Sequence, residues 1–394
     1  MKKNRRGDDV FQSIIHPIML FLYKITAGPI IAKLMFNSKA TGIKLSSIKG
    51  SYILLGNHVN NYDSLIHQFY ADRIISYVVN ERIFRMGPKG LLGKVMGWLH
   101  YIPKKKFSND LKAVRRLFQS KEQGRIIGIF PEGRRNWDGV TSKLIGSIST
   151  LAKSLRIPIV AAVTKGGFSS QPRWSGEVRK GCVEVEYKMI LDAEGVKKST
   201  SDQILQIIQK ELDFKEHEYL ADKKIYFKAK HPADGLERLL FMCPSCHAIG
   251  KLTSSGDKVT CECGYSASYN NYAEFKSGHF SNLAEWSEWQ KDELKKIKES
   301  DSDEAIFTDV AVNLSIVASN SHAKLKDTDC GTARLYRGRI TFDGKESLSF
   351  EIDKLWGCNI QKNCSFEFNY GDIMYLFTFP GKGNAYKWKL YTEL

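Results

Sequence analysis

Apolar and polar positions alternate between two regimes over the first half of the chain. Short apolar runs at 52–55, 75–79, 126–130, 157–163 and 182–191 are separated by stretches at 62–72, 109–122, 143–155 and 202–212, where apolar residues recur every three or four positions. The runs read as buried strands and the periodic stretches as amphipathic helices. In 109–122, for example, Leu111, Val114, Leu117 and Phe118 share one face while Lys112, Arg115 and Arg116 lie elsewhere. Strand-helix-strand repetition needs crossover connections, so residues 39–215 are expected to form an α/β domain with a mixed, largely parallel sheet and flanking helices.

Before this domain, Val10 to Phe36 carries apolar residues at helical spacing, with Pro17 and Pro29 dividing it into two short helices. No uninterrupted apolar run reaches the roughly 18 to 20 residues that a spanning helix needs. With Lys2, Lys3, Arg5 and Arg6 in front, residues 1–38 read as an interfacial helical hairpin with its basic residues at lipid headgroups. A pair of ordinary core helices is the alternative. Asp8 and Asp9 spoil the basic start of a signal peptide, and no cleavage pattern follows. The expected location is cytoplasmic, peripheral on the inner face of the cell membrane.

After 215 the pattern changes again. Residues 216–238 are charged and read as a linker, 269–300 contain a helix at about 281–299 buried through Leu283, Trp286, Leu294 and Ile297, and 301–394 alternate apolar and polar positions between glycine turns. That tail is expected to be an all-β module, similar in pattern to small modules of the pleckstrin-homology type. A structural or partner-docking tail fits equally well. Ala385 to Leu390 reads as a short capping helix.

Within 239–268 stand two thiol pairs, Cys243 with Cys246 and Cys261 with Cys263, separated by turn signals at Ser254 to Asp257. Two such knuckles joined by a hairpin wrap one tetrahedral zinc, and a closed four-sulfur set leaves no open position for chemistry. A small zinc ribbon with a structural ion is therefore expected; an iron site of the rubredoxin kind or disulfides are the alternatives. His247 reads as exposed rather than coordinating, and Cys182, Cys330, Cys358 and Cys364 as free thiols.

Two motifs sit just past strand-like runs, where ligands bind in open α/β sheets. The first is Asn57-His58-Val59-Asn60-Asn61-Tyr62-Asp63. Across a strand-to-helix turn, Asp63 accepts a bond from one nitrogen of His58 and leaves the other to take a hydroxyl proton. Taken alone, the pair also fits a turn histidine and a helix-capping aspartate. No G-x-S-x-G elbow accompanies it and no cysteine is close in sequence to His58, which favours direct attack by a substrate hydroxyl on a thioester. The second motif is Phe130-Pro131-Glu132-Gly133-Arg134-Arg135, a turn glycine beside two guanidinium groups suited to phosphate. Between them, His100-Tyr101-Ile102-Pro103-Lys104-Lys105-Lys106 is cationic and reads on its own as a solvated loop.

These blocks resemble those of the glycerolipid acyltransferases that make phosphatidic acid from lysophosphatidic acid. The family's N-H-x-x-x-x-D block is intact at Asn57, His58 and Asp63, and its F-P-E-G-x-R block at Phe130 to Arg135, with Arg134 where threonine is usual. Its G-x-I-P-x-x-R block keeps Ile102 and Pro103 but has His100 for glycine and Lys106 for arginine. Ile157-Pro158-Ile159-Val160 echoes a further apolar block that here lacks its second proline. The resemblance spans about residues 10–215. It implies transfer of an acyl group from an acyl-CoA or acyl-carrier-protein thioester to the hydroxyl of 1-acylglycerol 3-phosphate, with no covalent enzyme intermediate. His58 would be the base, Asp63 its orienting partner, and Asn57, Lys106, Glu132, Gly133, Arg134 and Arg135 would serve the acceptor. Another lysophospholipid or glycerol 3-phosphate is the alternative acceptor.

The net charge of +16 draws the chain toward anionic lipid, acidic carrier protein, polyphosphate donors or nucleic acid. The expected partners are the anionic membrane surface, the lysophospholipid acceptor, the acyl donor and acyl carrier protein, with no specific nucleic acid. A basic nucleic-acid-binding protein or a non-catalytic lipid-binding one would explain the charge but neither block.

Overall fold

Seven strands make the first sheet: β1 Lys39–Gly42, β2 Tyr52–Gly56, β3 Ile75–Asn80, β4 Ile102–Lys104, β5 Ile126–Ile129, β6 Ile159–Lys165 and β7 Glu184–Leu191. Their order is β1-β7-β6-β2-β5-β3-β4. Every neighbouring pair is parallel except β6 and β7. Only a four-residue helix, α7 (Gly167–Ser170), lies between those two, and without a crossover helix the chain turns back antiparallel. The computed structural model describes residues 16–85, 91–104, 110–318, 327–381 and 383–394. It divides into two units: the chain to Pro172 with Glu177–Lys228, and Arg173–Gly176 with Ala229–Leu394.

Strand alternation sorts the core of the first unit. Ile53, Leu55, Ile127 and Ile159 point to one face, where they meet helices α5 (Leu111–Glu122), α6 (Ser147–Leu155), α8 (Ala193–Lys198) and α9 (Ser201–Leu212). Tyr52, Leu54, Ile126, Val160 and Ala162 point to the other, with Ile66 of α3 (Asp63–Tyr70). Helix α5 buries Ala113, Leu117 and Ser120, leaving Leu111 and Val114 exposed. Its apolar stripe is thus wider than the strip that meets the sheet.

In front of the sheet, helices α1 (His16–Ile25) and α2 (Ala27–Met35) meet at a bend of 47°. Among the described residues no single helix is long and apolar enough to cross a membrane. The pair buries Leu20 and Ala32 but exposes Ile18, Phe21, Leu22, Ile25, Ile30 and Leu34. The basic residues expected ahead of it, at 2–6, lie outside the described residues.

Residues 216–238, expected as a linker, are folded instead. They begin with helix α10 (Glu216–Lys223), and Glu216, Leu220 and Phe227 are buried. One charge-rich face had masked a helix with an inward side.

The second unit holds a three-stranded ribbon of β8 (Leu252–Ser255), β9 (Lys258–Cys261) and β10 (Ser266–Ser268). Helix α11 (Leu283–Glu299) follows; its Trp286 donates to the Met242 carbonyl (3.1 Å), and Gln290 accepts from Phe241 N–H (3.0 Å). The C-terminal sheet is all antiparallel, from β11 (Phe307–Ala318) to β17 (Ile373–Thr378), and helix α12 (Ala385–Glu393) closes the chain. A short segment from earlier in the chain belongs here too. Trp174 is fully buried, its ring 6.1 Å from that of Tyr269, and its carbonyl accepts from Arg238 (2.9 Å).

Candidate active site and metal centre

Past the last paired residue of β2, Asn57 turns inward. Its amide donates to the Thr164 carbonyl (3.0 Å) and accepts from the Thr164 N–H (2.7 Å), tying the ends of β2 and β6 together. It is fully buried, so the expected contact with substrate gives way to a strut. His58 follows, with Nδ1 2.8 Å from Asp63 Oδ2. The same oxygen accepts from the backbone of Val59 (2.8 Å) and Asn60 (3.0 Å), so Asp63 fixes both the turn and the ring. With Nδ1 held by a carboxylate, Nε2 is the nitrogen left to take a proton. The His58 side chain is 26% exposed and that of Asp63 0%, which leaves the imidazole reachable and its partner dry.

The imidazole is also clamped from the side. It stacks on Phe130 at 4.4 Å, and Phe130 stacks in turn on Tyr77 at 5.3 Å. Behind these rings, buried His67 bonds Tyr77 Oη (2.9 Å) and Thr164 Oγ1 (3.1 Å). Burial holds its pKa down at about 4, so it stays neutral.

The second block faces the first. Glu132, 4% exposed, accepts from His58 N–H (2.7 Å) through one oxygen and from Ser142 N–H (2.8 Å) through the other. Both oxygens serve the backbone, and the acceptor contact expected of this residue is replaced by a brace. Burial pushes its carboxyl up to about 7, against the two N–H bonds that favour the anion. Gly133 is exposed at φ +67°, and a Cβ there would come within 2.6 Å of Ile145 Cδ1. Arg134 and Arg135 are both half-buried, and Arg135 is close enough to Asp63 to feel its charge. Lys106 lies outside the described residues.

A third loop completes the arrangement, and sequence reasoning missed it. The carboxylate of buried Glu216 accepts from Ser169 N–H (2.7 Å) and Phe168 N–H (3.4 Å), while its own N–H donates to Gly139 (2.9 Å). Gln171 then accepts from Asn61 N–H (3.0 Å), within the first block. Lys215-Glu216-His217-Glu218 looks like any solvated run, so no local signal marks this glutamate.

In the second unit, Cys243, Cys246, Cys261 and Cys263 bring their sulfurs within 4.8 Å of one another. The Cys243–Cys263 and Cys246–Cys261 separations are 3.7 and 3.8 Å. Zn–S bonds of about 2.3 Å arranged tetrahedrally give sulfur separations of about 3.8 Å, so the set fits zinc. Each pair sits on a tight turn that ends in the left-handed region, at His247 (φ +56°) and Gly264 (φ +92°). His247 packs on Trp289 and pairs with Glu293.

Residues 37–165 match the family model described as Acyltransferase. Among solved structures, the chain is similar to the 1-acyl-sn-glycerophosphate (LPA) acyltransferase PlsC of Thermotoga maritima, with 15% identity and a TM-score of 0.43 over 49% of this chain and 76% of that one. No curated protein sequence matches the chain.

Proposed function

We propose that this chain, with its acyltransferase domain, moves a fatty acyl group from a coenzyme A or acyl-carrier-protein thioester to the free hydroxyl of 1-acylglycerol 3-phosphate, giving phosphatidic acid. The observation that carries this reading is the 2.8 Å His58–Asp63 pair, in which the carboxylate engages Nδ1 of a partly exposed imidazole. In the reaction, Nε2 takes the hydroxyl proton as the oxygen attacks the thioester carbonyl, and Asp63 stabilises the imidazolium. The C–S bond breaks, and the imidazolium returns the proton to the departing thiolate. Arg135, with Arg134 beside it, supplies guanidinium groups for the acceptor phosphate, and Gly133 lets the backbone approach. Asn57, Glu132 and Glu216 hold the three loops in register.

The exposed apolar side chains of α1 and α2 suit a peripheral seat on an anionic membrane, where acceptor and product reside. The four cysteines would hold zinc that folds the ribbon. Purified protein offered a panel of lysophospholipids and glycerol 3-phosphate with both donor types, with products read by mass spectrometry, tests the assignment. Phosphatidic acid formed by the native chain and not by His58→Ala supports it. No acylation of any acceptor by the folded native chain would sink it.

A further inference from the structure

His100 occupies a left-handed position just past a helix end, where glycine is the commonest residue. It follows helix α4 (Leu91–Trp98), and its N–H donates to the Gly97 carbonyl (3.0 Å) while the Tyr101 N–H donates to that of Met96 (2.9 Å). Those paired bonds form the helix stop whose left-handed residue is usually glycine. His100 adopts φ +54° all the same, accepting a steric cost that glycine avoids. A charged imidazole would recover part of that cost from the negative end of the helix. Burial and the nearby Arg125 and His16 instead hold its pKa down at about 4, so at neutral pH it is uncharged.

A cavity opens beside it. It measures about 550 Å³ and is lined by His100, Tyr101, Arg116, Gln119 and Arg125, with Glu81 as its carboxylate. That is the size range of small-ligand sites. The two arginines arrive from different elements, Arg116 from α5 and Arg125 from the residue before β5. Phe130 and Glu132 leave the opposite end of β5, so this cavity is separate from the His58 site. Two guanidinium groups lining one cavity with a neutral N–H donor favour a phosphate group. The surroundings indicate which phosphate. His16, at the start of α1, meets the His100 ring edge-on at 4.8 Å and donates to the Trp98 carbonyl (3.1 Å). Trp98 is exposed, as are Ile18, Phe21, Leu22 and Ile25 of α1, so an apolar surface adjoins the charged cavity.

We propose that His100, Arg116 and Arg125 form a second, non-catalytic site for the phosphate of an anionic membrane lipid. The lipid source rests on the membrane seat proposed above; the anion site itself does not. The test is vesicle co-sedimentation of the full chain with no acyl donor present, so its outcome is independent of whether acyl transfer occurs. Vesicles of phosphatidylcholine are compared with and without phosphatidylglycerol, for the native chain, His100→Gly, His100→Phe and Arg116→Gln, and melting temperatures are recorded. Loss of one charge-assisted contact should weaken binding to the anionic vesicles about tenfold. His100→Gly should do so while melting no lower than the native protein, since glycine relieves the left-handed backbone. His100→Phe, which keeps a ring against His16 but no donor, should bind as weakly. The proposal is overturned if these variants bind anionic vesicles normally, or if they lose as much on neutral ones. It is equally overturned if they lose affinity for soluble coenzyme A or inorganic phosphate and not for the anionic vesicles.

Discussion

At the level of single residues, the pairing of His58 with Asp63 was legible because the types and spacing of the two residues constrain the geometry. A strand end, a histidine and an aspartate one helical start later leave few alternative geometries. We expect His58→Ala to abolish acyl transfer in a protein that still folds, and Asp63→Asn to slow turnover by about 10³ to 10⁴, the scale seen when a base loses its orienting carboxylate. Near-native turnover in folded His58→Ala protein would remove the general-base role. Arg135→Ala should raise the acceptor KM by the equivalent of about 1.5 to 3 kcal/mol and leave the donor KM unchanged. A raised donor KM would reassign the arginine to the donor's phosphates. What the sequence hid was direction. Asn57 and Glu132 carry polar groups in the right block, but residue type does not say whether such a group faces a ligand or the backbone. Both turn out to serve Thr164, His58 and Ser142. Glu216 stayed invisible because its neighbours in sequence are as charged as it is, and only its burial distinguishes it.

Among the elements, strands with long apolar runs were readable and the short edge strands β1 and β4 were not. A strand of three or four residues that is only partly buried, such as Ile102–Lys104, has no periodicity to detect. Helix α10 was lost for the opposite reason, its exposed charge outweighing its few buried residues. The cysteine knuckles were the clearest signal, since thiolates at that spacing have few other uses. Because zinc binding and local folding are linked, a strong chelator should raise amide exchange first between Met242 and Ser268. Strands β2, β5 and β6 should keep their protection, and Cys261→Ser should reproduce the pattern. Chelation that abolished acyl transfer while exchange in 242–268 stayed unchanged would argue against a structural ion.

Over the whole molecule, buried titrating groups set opposing pH dependences. Burial raises Glu132 and Glu216 from 4.5 to about 7. Their contribution to stability is complete below about 4.5 and is lost as pH rises toward 7. His67 is lowered from 6.5 to about 4, so its contribution is complete above 6.5 and is lost as pH falls. Between pH 4.5 and 6.5 these slopes oppose. Replacing Glu216 by glutamine should therefore make stability climb with pH more steeply than in the native chain, by roughly 1.4 kcal/mol per pH unit. His67→Gln should tilt it the other way by a similar amount. Denaturant midpoints across that range measure both, and parallel curves for native and variant proteins would mean the groups titrate normally. The segment Arg173–Gly176 has a different kind of consequence. Trp174 is buried among residues such as Tyr269 and Arg238 that come much later in the chain, so no single cut in the gene separates the two units cleanly. Deleting everything after Lys228 would strip an indole of its cover, and grafting that stretch onto another enzyme would leave an empty slot where the indole belongs.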